Sequence, residues 1–194
     1  PDATVTTDVS SAPWVALCDL IVTATSAFGL RVLDVSQCKP GAVILDVALP
    51  PDISAEEAAL RPDVLVVESG EVLIPGPVNF SFNIGLPQGV AYACLAEAAL
   101  LAMEERFECF TLGRDVHPDR VKEIYRLFRK HDFRIAPLRT FGQLLTDELV
   151  AEKRARADEL LRDPARLARV KAEAGEKMAR IPPRAKGVAG VTTL

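Results

Sequence analysis

Residues 42–67, AVILDVALPPDISAEEAALRPDVLVV, hold two continuous apolar runs on either side of a short acidic stretch. The runs at 42–47 and 63–67 are rich in Val, Ile and Leu and read as buried strands. Between them LPPDIS stops the first run, and Ser54 offers the side-chain oxygen that caps a helix. Glu56 and Glu57 fall in that helix's first turn, where its dipole favours negative charge.

Upstream, residues 19–25, DLIVTAT, form a third β-branched run that ends in a turn of small residues at 26–29. A short helical stretch over 31–37 and the sequence KPG connect it to the run at 42–47. Three apolar strands alternating with helical segments predict a parallel sheet covered on both faces. The fold class is therefore α/β, a partial doubly wound, Rossmann-like sheet.

Residues 71–88 lack periodicity, contain Gly76, Gly85 and several prolines, and predict a long structured loop. The stretch 89–114, GVAYACLAEAALLAMEERFECFTLGR, then predicts one long helix from about 88 to 107. Its main core stripe is Ala93, Ala96, Leu100, Met103 and Phe107, with burial nearly all round in its first half. A second helix, PDRVKEIYRLFRKH, starts at Pro118 with Asp115 as a possible cap and turns Val121, Ile124, Tyr125 and Phe128 inward. Residues 132–138 suggest a last short strand. Beyond 140 the composition becomes rich in Ala, Glu, Arg and Lys, predicting a helix at 147–161, another from Pro164, and an extended tail.

This divides the chain into three parts. Residues 1–88 are expected to be the second half of a Rossmann-like dinucleotide-binding domain. Residues 89–138 carry the cysteine helix and its successor, and 139–194 form a charged helical extension and tail.

Composition narrows the function classes. At 194 residues, 49% hydrophobic and 26% charged, the chain suits a soluble globular protein with one core and an appended element. Its longest apolar runs fall far short of the about 20 residues that span a bilayer. Pro1 is followed by neither a basic region nor a long apolar one, which speaks against a signal peptide and for the interior of a longer protein. Four cysteines without metal-ligand spacing point to reduced thiols and a cytoplasmic setting. The net charge of −4 is uneven: residues 1–100 carry 3 basic and 12 acidic side chains, and residues 101–194 carry 20 and 15. The basic half suits an acidic partner such as a carrier protein or, more plainly, a solvated helical surface. No nucleic-acid partner is expected.

Two candidate sites follow. Thr23, Ala24, Thr25 and Ser26 end a strand at the edge where open α/β sheets bind ligands, and an ordinary βα turn is the alternative. No G-x-G-x-x-G or G-x-x-x-x-G-K-[ST] occurs, so no pyrophosphate cradle is present. Either an upstream half or another chain supplies one, or there is no cofactor. Cys94 and Glu97 lie one turn apart on the long helix, on a face the 71–88 loop can cover. A thiolate suits acyl transfer, with Glu97 orienting a substrate or relaying a proton. Free cysteine is also among the most buried residue types, so packing is the competing reading.

The stretch AYACLAEAALLAMEERF resembles the region around the acylated cysteine of the NADPH-dependent, aldehyde-forming long-chain acyl-ACP reductases of cyanobacterial type. The likeness extends through Phe110, Gly113-Arg114 and residues 130–133, and upstream to CDLIVTATS, VILDVALP and VLVVESGEV, covering about 15–138. The resemblance implies that Cys94 takes a fatty acyl group from acyl carrier protein or acyl-CoA and that NADPH reduces the thioester to an aldehyde. Alternatives are the cofactor half of another NAD(P)-dependent dehydrogenase, acting on a shikimate- or amino-acid-like substrate, and a non-catalytic docking subunit. The family's Gly-rich phosphate loop is absent, so the missing N-terminal half or another domain is an expected partner.

Overall fold

The computed structural model describes residues 3–27, 30–111, 113 and 116–183. Asp115, Arg114 and the tail beyond 183, all singled out in the sequence, lie outside these residues. The elements in chain order are α1 (Ala12–Val15), β1 (Leu20–Thr23), a 3-10 turn (Val35–Gln37), β2 (Val43–Asp46), α2 (Ala55–Ala59), β3 (Leu65–Glu68), β4 (Glu71–Leu73) and β5 (Val90–Tyr92). They continue as α3 (Ala93–Met103), α4 (Pro118–Lys130), β6 (Arg134–Ile135), β7 (Arg139–Thr140), β8 (Gln143–Leu144), α5 (Asp147–Arg162) and α6 (Pro164–Met178).

The chain forms two compact units, one of residues 1–69 with 138–194 and one of residues 70–137. In the first, β1, β2 and β3 pair in parallel, with Leu20, Val43 and Leu65 in one row and Ile21, Ile44 and Val66 in the next. This is the α/β arrangement that the three apolar runs predict. The sheet is mixed rather than wholly parallel, because β7 pairs antiparallel with β3 and β8 with β7. Phe141 and Gly142, both with positive φ, make the two-residue turn of that hairpin. The core lies on the face of Ile44 and Val66, where Val35, Cys38, Ile53 and Met178 join them.

Local chemistry explains the helices of this unit. Ser54 and Glu57 form a reciprocal capping box at the start of α2. Thr146 caps α5, and Asp163 caps α6 with Pro164 in its first turn. The expected helix over 31–37 shrinks to the 3-10 turn, where Asp34 accepts a hydrogen bond from the Ser36 N–H. Gly41 has a φ of +78°, and an added Cβ would stand 3.2 Å from that of Ala157, so its lack of a side chain lets α5 approach.

Buried charge also shapes this unit. Arg61 and Asp63 are 0% and 1% exposed and form a two-pronged ion pair, with contacts of 2.9 and 2.6 Å. The remaining guanidinium nitrogen donates to the Ser36 and Cys38 carbonyls. A buried pair is tolerated only when its polar atoms are satisfied in this way.

The second unit departs further from expectation. The segment 71–88 opens with β4, which pairs antiparallel with β5 and β6. The long helix begins only at Ala93, because Val90-Ala91-Tyr92 is consumed by that hairpin. It ends at Met103 in a Schellman turn: Glu105 takes a φ of +56°, Arg106 N–H bonds to the Leu101 carbonyl and Glu105 N–H to that of Ala102. Its core is Val72, Ala96, Leu100 and Phe133, with Ile124, Leu127 and Phe128 packed around it. Ala93, Met103 and Phe107 of the expected stripe are exposed, as are Val121 and Tyr125 of α4. The strand expected over 132–138 is confined to β6 in this unit.

Candidate functional site

The carboxyl edge of β1 and β2 is held by two carboxylates. Asp46, at the end of β2, is buried and accepts from the Ala48 and Ile53 N–H groups, fixing the loop that contains Pro50, Pro51 and Asp52. Burial raises its carboxyl above the usual range, while those two N–H groups pull the other way. Thr23 is buried beside it, its hydroxyl short of a full hydrogen bond.

Asp52 reaches back across the edge. Its carboxylate accepts the Thr25 N–H at 3.1 Å and the Thr25 hydroxyl at 2.6 Å. The Thr25 oxygen in turn accepts the Ala27 N–H. Arg31 and Glu57 stand next to this latch, 3.1 Å apart, and Arg31 also donates to the Ile181 carbonyl. Together with Ser26 and Pro183 these groups line a cleft enclosing only about 20 Å³, room for one water-sized group.

The structure thus brings Thr25 and Ser26 of the expected cofactor residues into the cleft, leaves Ala24 exposed and buries Thr23. Sequence reading missed Asp52, Arg31 and Glu57. A P-P-D turn after a strand was a signal for a carboxylate at this edge, but its pairing with a residue 27 positions earlier had no local sign.

Cys94 and Glu97 belong to the other unit. Cys94, in the first turn of α3, is an exposed free thiol, contrary to burial all round. The reason is that α3 buries only Ala96, Leu100 and Leu101. The half-buried Glu97 carboxylate accepts a hydrogen bond from the Thr111 hydroxyl. Cys38, by contrast, is sealed in the first unit's core, and burial pushes its thiol up to about 11. Among the described residues no cluster of His, Cys, Asp and Glu could hold a metal ion. No described helix is long and apolar enough to cross a membrane.

No family model matches the chain. Over 136 residues it is 39% identical to the protein named aminotransferase PigE of Serratia sp. (strain ATCC 39006), a match covering 69% of this chain and 16% of that relative. The chain therefore spans about a sixth of the relative's length. This likeness to a protein named for amino-group transfer overturns the expectation of an oxidoreductase. Reduction of an acyl thioester to an aldehyde, the role of NADPH as its hydride donor, and the dehydrogenase alternatives are withdrawn on that finding. What stands is similarity to part of a larger aminotransferase.

Proposed function

We propose that this chain is an α/β segment of a larger transferase that moves amino groups, and that the transfer itself is carried out by other residues of that protein. The observation carrying this reading is the 39% identity confined to 16% of a protein named as an aminotransferase. In the cytoplasm, where we place it, its four free cysteines stay reduced.

Amino transfer commonly uses pyridoxal phosphate, bound through a lysine with an acidic or guanidinium partner at its ring nitrogen. The described lysines do not fit that group. Lys153 donates to the Pro62 and Val64 carbonyls, and Lys171 to that of Gln37. Burial lowers the pKa of both, yet their ammonium groups are engaged by main-chain acceptors. Asp63, whose negative charge acts on Lys153, is already committed to Arg61. Lys39, Lys122 and Lys130 pair with Asp19, Asp119 and Glu104, and Lys177 stands exposed in the last turn of α6. No step of amino transfer is therefore assigned to these residues.

The test is turnover with an amino-acid donor, a 2-keto acceptor and added pyridoxal phosphate. The polypeptide as its native host makes it is expected to transfer the amino group, and residues 1–194 alone are expected to give none. Turnover by residues 1–194, or none by the native polypeptide, overturns the reading.

A further inference from the structure

We propose that β1 is an interior strand in the working protein: a strand–helix–strand unit from elsewhere in the same, longer polypeptide pairs in parallel with its free edge and lays its helix over Leu20 and Val22. The inference rests on the reading of this chain as a segment of a larger protein, and four features of the sheet carry it.

The first is a gradient of burial along two rows of one face. Leu65 and Val67 of β3 are 8% and 3% exposed, Val43 and Leu45 of β2 are half-buried, and Leu20 and Val22 of β1 are 60% and 57% exposed. Ala157 and Leu161 of α5 line one groove with Val43 and Leu65, whereas Leu20 and Val22 of β1 stand open. The opposite face has no such gradient, since Ile21 packs against the core that contains Ile44 and Val66. Parallel strands are ordinarily covered on both faces.

The second feature specifies a strand as the occupant. Val43 N–H bonds to the Asp19 carbonyl and Val47 N–H to that of Thr23. The alternation of a parallel ladder then leaves the main-chain N–H and C=O groups of Leu20 and Val22 facing away from β2. A pairing strand satisfies them, whereas a helix alone does not.

Third, β1 is short, at four residues, as are the paired β2 and β3, but it carries none of the other devices that keep a natural edge strand from pairing. LIVT has no lysine, proline or other charge, and none of its residues has a positive φ. The adjacent charge, Asp19, is neutralised by Lys39.

The fourth is handedness. The crossovers from β1 to β2 and from β2 to β3 lie on the Ile44 and Val66 face, where Val35, Ala58 and Leu60 pack. Right-handed crossovers between strands added in the opposite direction fall on the other face, which is the bare one. A relative in which this region makes up only 16% of the length leaves ample chain for such a unit.

The test places a photo-crosslinking amino acid at Val22 in the polypeptide as its native host makes it, with a control at Glu159, exposed on α5. Position 22 is expected to crosslink to a peptide of the same polypeptide outside residues 1–194 that contains an apolar, β-branched run. A crosslink to residues 20–23 of a second copy, a crosslink to a separate protein, or a yield no greater than the control's overturns the proposal. Val22→Lys supplies a second readout. It is expected to leave the melting temperature of residues 1–194 unchanged and to lower that of the native polypeptide; equal shifts in the two overturn the proposal. Both readouts are independent of which reaction the polypeptide performs, so failure of the transferase reading and failure of this one are distinguishable.

Discussion

The two units differ in whether they bury charge: both carry exposed ion pairs, but among the described residues only the sheet unit seals one in its core. In the sheet unit the Arg61–Asp63 pair is sealed from solvent, with the Ser36 and Cys38 carbonyls completing its hydrogen bonds. In the unit of residues 70–137 the charged groups stay partly open to solvent: Glu104 accepts from Lys130 and from the His131 ring, and Arg106 bridges Glu108 and Glu123. There the guanidinium groups of Arg106 and Arg120 both lie over the Phe110 ring. The lesson is that buried charge in this protein organises the fold, whereas the surface charge decorates a small apolar core.

That contrast is sharpened most by removing one partner of the sealed pair. Arg61→Ala strands the Asp63 carboxylate in the core and is expected to destabilise the sheet unit by about 3–5 kcal/mol, measured by urea unfolding. A loss under about 1 kcal/mol, the ordinary value for an exposed pair, would erase the distinction between the units. A smaller effect tests the helix. Leu100→Ala, at 1% exposure, is expected to cost roughly 2–5 kcal/mol, whereas Met103→Ala, at 54% exposure, stays within about 0.5 kcal/mol. Equal losses at the two positions would mean that α3 is buried on more than one face.

What the sequence disclosed follows from how local its causes are. The strands β1, β2 and β3 are continuous apolar runs, and the Ser54 cap of α2 with its acidic first turn is written within four residues, so both were legible; that Glu57 reaches back to the cap is seen only in the structure. The strand β5 was not, because Val90-Ala91-Tyr92 runs into an alanine-rich helix with no polar break and is fixed by pairing with β4. The same holds for β7, whose partner β3 is remote in sequence. At the candidate site, Thr25 and Ser26 were legible from their place at a strand end. The Asp52 latch, the Arg31–Glu57 pair and the exposure of Cys94 depend on contacts between distant segments. Apolar composition predicted burial of the whole first half of α3, but the helix offers only the stripe of Ala96, Leu100 and Leu101 to a partner surface within its unit.

The central claim is that the described lysines of this chain do not carry amino transfer. It is tested most directly by incubating residues 1–194 with pyridoxal phosphate, reducing with borohydride and mapping every lysine by mass spectrometry. The account predicts only low, scattered labelling of exposed lysines such as Lys122 and Lys177, with Lys153 and Lys171 protected by their carbonyl partners. Stoichiometric labelling of a single lysine, above all Lys153, would contradict it.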